Sequence, residues 1–431
     1  RYSNYPIVSS TTQNDTKSVI LEKKYVLAFI LLASCFMWWG LANNLTDPLV
    51  KVFKAVFGEL STFQASLMQF AFYFGYFCMA IPGAVIARKF SYKTGVLVGL
   101  GLYISGCLLL YPSTLLQEFI FFCVSYYILA CGLGILETNA NPYVLSLGSR
   151  KTATRRLNLA QSFNPIGSVG GIFLCQIMVM SQMPLDDGGK IIVAAGQIQE
   201  ILSIVILPYL SIAAILVVVW LLIALVKMPK IKDSGSETNI IKQLGKLLKK
   251  KNYRFAVIAL FFYVGAQISV WTYTNFYIPD QLSVTPEKTL QYHMGALILF
   301  GVFRWIFTAL MKRFADHSLL LFASTAAAIC TLSVIFVGGM VGVISLIGIS
   351  AFMSLMFPTI FGMGCKGLND DEMKVGSSGL IMAILGGALI TPLQGAIIDV
   401  SGVSLSYLIP LICFVVVAAY ALHSKRTTAA A

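Results

Sequence analysis

Stretches of about twenty apolar residues recur from one end of this sequence to the other, and a helix needs about that length to cross the hydrocarbon core of a bilayer. Twelve such spans are predicted, at 26–47, 63–87, 93–113, 116–144, 157–181, 201–226, 255–278, 290–311, 318–338, 339–363, 377–398 and 404–422. The ninth and tenth are divided only by "GGM" near 338, so their separation rests on a glycine turn. Several spans exceed 25 residues, which predicts tilted or bent helices. A membrane β-barrel would alternate apolar and polar residues over segments of about ten, and no segment reads that way. The chain of 431 residues is 58% hydrophobic and only 11% charged, too few charges for the surface of a soluble domain of this size. The expected fold class is an all-α membrane protein with twelve transmembrane helices in two six-helix halves.

Lys and Arg set the orientation, because basic residues collect on the cytoplasmic side of a membrane protein. With both ends placed inside, the inner segments hold 26 of the 31 basic residues and the outer loops hold four, namely Lys51, Lys54, Lys190 and Lys288. The last, Arg304, lies within the eighth span. This distribution also accounts for the net charge of +13: the basic residues anchor an inner rim, and nucleic acid is not an expected partner.

The nine cysteines lie mostly inside the spans and show no CxxC spacing, so they are expected to be small apolar packers. His293, His317 and His423 form no metal-ligating pattern. No metal or cofactor is expected, and no catalytic triad or phosphate loop is visible, so the chain is not expected to be an enzyme. The sequons at Asn14 and Asn44 fall in the inner tail and in the first span, where glycosylation is not expected. No cleavable signal peptide is expected.

Two halves, residues 1–227 and 253–431, are predicted on either side of a basic, polar linker at 228–252. That linker contains an amphipathic piece, "IIKQLGKLL", which could lie on the inner leaflet, although a solvated linker is the expectation. "ARKFS" at 87–91 and "MKRFA" at 311–315 are equivalent short turns after the second and eighth spans, an echo that suggests duplication.

Of the 18 acids, only Asp47 and Glu137 lie well within the spans. An ionised carboxylate facing lipid costs roughly 2.5 kcal/mol or more, so each is expected to face protein or a wet cavity, where desolvation favours the protonated form. A carboxylate satisfying backbone at a helix kink is the structural alternative, and it weighs more for Asp47, which precedes Pro48 near the outer end of its span. Polar residues gather on the same faces by helical spacing: Asn43, Asn44 and Asp47 on the first span, Glu137 and Asn141 on the fourth, Gln161, Asn164 and Ser168 on the fifth, and Tyr263, Gln267, Trp271 and Asn275 on the seventh. Amides and carboxylates match hydroxyls, and aromatic faces match the apolar side of a sugar ring. For any one of these residues, interhelical hydrogen bonding is an equally good account; four helices together favour a site.

The runs "LANNLTDPL", "QFAFYFGYF", "GLGILETNANPYV", "RLNLAQSFNPIG", "YVGAQISVW" and "AFMSLMFPTIF" resemble, in order and over nearly the whole chain, those of the L-fucose:proton symporter family of the major facilitator superfamily, which includes fucose and glucose/galactose carriers. The resemblance implies a major facilitator fold whose first, fourth and seventh helices line a central cavity, with the fifth and tenth contributing. It implies that Asp47 and Glu137 carry the proton and link it to sugar, and that Gln161 and Asn164 touch the sugar; the shared polar faces add Asn43, Asn141, Tyr263, Gln267 and Trp271 as expected substrate-binding residues, with Phe357 of the tenth span beside them. It implies a monomer in the cell membrane whose partners are a monosaccharide, protons and lipid. Two departures stand out. Met356 and Phe357 replace a Gln-Tyr pair of the fucose carrier, which puts fucose itself in question. Phe303 and Phe307 replace small glycines beside Arg304, so either helix packing or the inner gate is altered there. The expected function is proton-coupled uptake of a monosaccharide by alternating access. A sodium-coupled or uncoupled sugar carrier is the main rival, and an extruder of amphipathic drugs a more distant one.

Overall fold

The computed structural model describes residues 7–8, 20–58, 62–184, 193, 196–231 and 239–429. The first half comprises α1 (Val26–Val56), α2 (Thr62–Lys89), α3 (Tyr92–Leu116), α4 (Phe119–Ser146), α5 (Ala153–Gln161), α6 (Asn164–Met178) and α7 (Ile198–Leu225). The linker forms α8 (Ile240–Lys249). The second half comprises α9 (Lys251–Leu282), α10 (Pro286–Leu310), α11 (Asp316–Phe336), α12 (Gly339–Met353), α13 (Met356–Gly364), α14 (Asp370–Met382), α15 (Gly386–Ser401), α16 (Val403–Ser406) and α17 (Leu408–Ala429). A two-residue parallel pairing joins Ile7 and Val8 to Lys230 and Ile231.

Among the described residues, eleven helical stretches are long and apolar enough to cross a membrane. The twelfth is the expected fifth span, which breaks at Ser162 and Phe163 into a nine-residue and a fifteen-residue piece. The break follows from Pro165: it lacks an N–H, so the helix cannot pass its hydrogen bond back to Gln161. The tenth span breaks in the same way between α12 and α13, where Pro358 stands four residues after Ser354. The eleventh begins earlier than expected, because Asn369 and Glu372 close a capping box at the start of α14.

The linker is more structured than the solvated linker expected of it. Helix α8 docks on α14 and α9 and buries Leu247. It fits because Gly379 presents no side chain: a Cβ there would stand 2.9 Å from a Leu244 methyl.

Within lipid, helices associate by close packing rather than by burial from water. Helix α1 lies so near α6 that a Cβ at Gly40 would collide with the Asn164 carbonyl, and one at Gly167 with the Met37 carbonyl. The end of α4 is closed by buried Arg156, whose Nε donates to Val144 O at 2.7 Å while Nη1 reaches Ile20 O at 3.0 Å. Phe303 lies edge-on to Phe352 of α12 with ring centroids 6.3 Å apart, and tilted against Phe307 at 6.0 Å. The two phenylalanines thus fill the α10–α12 packing where glycines would allow closer approach.

The halves meet on the face that carries the basic loops. There α14 packs on α2 and α4, and α13 on α5. Asn158 donates to the Thr359 hydroxyl at 3.1 Å, Arg155 to the Thr308 carbonyl at 3.3 Å, and Arg150 approaches Asp370 at 3.4 Å. A Cβ at Gly362 would stand 2.9 Å from the Thr154 side chain.

Candidate functional site

Between the halves lies a cavity of about 30 Å³, room for about one water molecule. Glu137 of α4, Gln161 at the end of α5 and Asn164 at the start of α6 line it from the first half, together with Phe36 and Trp39 of α1. Gln267 of α9, Arg304 of α10 and Phe357 of α13 line it from the second.

Glu137 is 2% exposed, and its Oε2 has no hydrogen-bond partner. Leaving a buried polar atom unpaired costs about 1–3 kcal/mol, more if it is charged, so its presence calls for a ligand, a proton or a rearranged neighbour. Gln161 donates from its side-chain amide to Asn141 Oδ1 at 2.8 Å. Asn164 Nδ2 donates to the Phe36 carbonyl at 3.3 Å, which ties α6 to α1 where Gly40 lets the two helices touch. Arg304 is 3% exposed and stacks over the Phe300 ring at 4.6 Å. Trp39 Nε1 donates to the Tyr76 hydroxyl, which braces the aromatic wall from α2.

The structure brings Glu137, Gln161, Asn164, Gln267 and Phe357 to one cavity, and places three other expected site residues outside its lining. Asn141 is bonded to Gln161 and does not line the cavity. Tyr263 is turned to the Met353 carbonyl, to which its hydroxyl donates at 3.0 Å. Trp271 lies a turn away, with its indole N–H donating to Ser350 Oγ at 3.1 Å. Both are drawn into interhelical hydrogen bonds because a buried O–H or N–H needs an acceptor. Of the neighbours, Asn139 faces α2 and bonds the Gly83 carbonyl at 3.2 Å, and Asn275 is exposed. The side chains of Asn43 and Asp47 lie outside the described residues; the α1 backbone runs helically through both positions.

Three lining residues carry no assignment from the sequence alone. Phe36 and Trp39 precede Asn43 by seven and four residues, so the helical spacing that picks out Asn43 also points to them. Arg304 is visible as a lone cation within a span, without a role.

Among the described residues, eleven long apolar helices and one broken span, in two halves around a closed polar cavity, define a membrane transporter. Residues 27–378 match the family described as the Major Facilitator Superfamily; the chain belongs to it, in the family of the L-fucose-proton symporters and glucose/galactose transporters. It is 42% identical over 428 residues to an L-fucose-proton symporter of Haemophilus influenzae, covering 94% of this chain and 98% of that one. It is 31% identical over 408 residues to a glucose/galactose transporter of Brucella abortus, covering 94% and 96%. Among solved structures, the major facilitator transporter FucP in the outward conformation is similar with a TM-score of 0.84 and 37% identity, covering 93% of this chain and 99% of that one.

Proposed function

We propose that this chain is a proton-coupled symporter that takes up a monosaccharide of the fucose, glucose or galactose type by alternating access. The observation that carries the reading is Glu137: a buried carboxyl with an unpartnered oxygen, in a cavity shared by both halves and lined with amides and aromatic rings. The relatives named above support sugar and proton as the paired substrates.

Gln161, Asn164 and Gln267 supply donors and acceptors to sugar hydroxyls, Asn141 orients Gln161, and Phe36, Trp39 and Phe357 offer apolar faces to the ring. Asn43 joins them from α1, and Tyr263 and Trp271 brace the second half around the site. The cavity is far too small for a pyranose as it stands, so the halves part on the other face to admit one. Asp47, toward the far end of α1, takes the proton on entry, and Glu137 links it to the sugar. An ionised Glu137 in a dry, closed cavity raises the barrier to rocking; protonation removes that charge. Each proton that enters down a membrane potential contributes about 2.3 kcal/mol per 100 mV.

The halves span 1–227 and 253–431, with 228–252 as a cytoplasmic linker. The chain works as a monomer in the cell membrane with both termini cytoplasmic. The basic face, where the halves touch, is then the inner one, and the carrier is closed on that side.

Uptake of a panel of monosaccharides into proteoliposomes with an imposed proton gradient tests this. At least one sugar should accumulate, a protonophore should abolish accumulation, and the external medium should alkalinise as sugar enters. Uptake that ignores the protonophore and requires sodium would replace proton coupling by sodium coupling.

A further inference from the structure

Arg304 makes two hydrogen bonds that the proposed function does not use. Its Nε donates to the Ser354 carbonyl at 2.6 Å, and Nη1 to the Gln161 carbonyl at 2.9 Å. These are the carbonyls orphaned by the two helix breaks: Pro165 and Pro358 each stand four residues on and have no N–H to give. One guanidinium therefore satisfies the broken fifth span of the first half and the broken tenth span of the second. Its five N–H groups leave donors to spare, and it shares the cavity with the unpartnered oxygen of Glu137.

We propose that Arg304 is a positioning residue that latches the two halves together according to the proton state of Glu137. This rests on the reading of Glu137 as the proton carrier. With Glu137 protonated, Arg304 holds the halves only through the Gln161 carbonyl. Glu137 and Arg304 line one cavity but are not in ion-pair contact in the structure; with Glu137 ionised, a spare guanidinium N–H turns to the carboxylate across the halves, and charge-assisted bonds of that kind are about twice as strong as neutral ones. The unprotonated carrier is thus held closed on the basic face, and a proton loosens it there. Among the described residues, the other titratable groups within electrostatic range are Tyr76 of α2, beside Glu137, and Tyr263 of α9, beside Arg304; Arg155 of α5 is bonded to Thr308 one turn below. None of them offers a second carboxylate.

The test reads the distance between spin labels at Arg150→Cys and Lys366→Cys, exposed positions on the basic face of opposite halves, with the half-buried Cys78 and Cys330 replaced by Ala and no sugar present. Raising the pH from 6 to 9 should raise the closed-to-open ratio about tenfold, which corresponds to about 1.4 kcal/mol. The shift should vanish in both Glu137→Gln and Arg304→Gln. Pro165→Ala restores an N–H to the Gln161 carbonyl, so it should lower the closed fraction at both pH values. A full pH shift in Arg304→Gln, with none in Glu137→Gln, overturns the latch and leaves the proton reading standing. No shift in the chain with native Glu137 and Arg304 overturns the latch, and the proton reading is then decided by the protonophore test of uptake alone. Should Arg304→Gln fail to fold, an unchanged closed fraction in Pro165→Ala overturns the latch.

Discussion

Gln161 and Asn141 form one unit: the Gln161 amide nitrogen lies 2.8 Å from Asn141 Oδ1, so the fourth and fifth spans share a polar clamp at the edge of the cavity. A hydrogen bond of this kind is worth about 0.5–1.5 kcal/mol net. Asn141→Ala should therefore weaken sugar binding about three- to tenfold through a loosened Gln161, and Gln161→Ala should weaken it more, since that side chain itself lines the cavity proposed for the sugar. Calorimetry of both variants with the transported sugar checks this; unchanged affinity in Asn141→Ala reduces that residue to packing.

Glu137→Gln keeps shape and one acceptor but cannot titrate. It should retain exchange of sugar for sugar, lose proton-driven accumulation, and bind sugar with an affinity that no longer varies with pH. Glu137→Ala removes the acceptor as well, and a charge-assisted bond contributes about 1.5–3 kcal/mol; affinity should fall at least about tenfold. If both variants accumulate sugar as the unaltered protein does, the carboxyl only satisfies a kink.

Asp47→Asn imitates the protonated form of the outer acid. Counterflow should persist while uphill uptake is lost, because the proton no longer enters through that residue. Normal accumulation by this variant would assign Asp47 to structure.

Gly167→Val should destabilise the first half by more than about 2 kcal/mol, the range of severe overpacking, since even a Cβ there collides with the Met37 carbonyl on α1. Thermal unfolding in detergent should show a clearly lowered midpoint. Gly170, further along the same helix, has nothing within 4 Å of the place a Cβ would take and should tolerate the same change.

The membrane class, the long apolar spans and the basic rim were legible in the sequence, because each depends on local composition: a bilayer demands a long apolar run, and it penalises a charge wherever it falls. Glu137 and the amides of the fifth span stood out for the same reason. The helix breaks were written there too, in Pro165 and Pro358, but their consequence was not. Helical spacing tells which residues share a face, and says nothing of which face meets the other half. The stripe of Tyr263, Gln267 and Trp271 divides in the folded chain: Gln267 reaches the cavity, while its aromatic neighbours bond to the tenth span. Arg304 was only a charge in an apolar run until the fold brought to it two carbonyls, 143 and 50 residues away along the chain. Contacts of that separation belong to the packing of whole helices, and only the tertiary structure decides them.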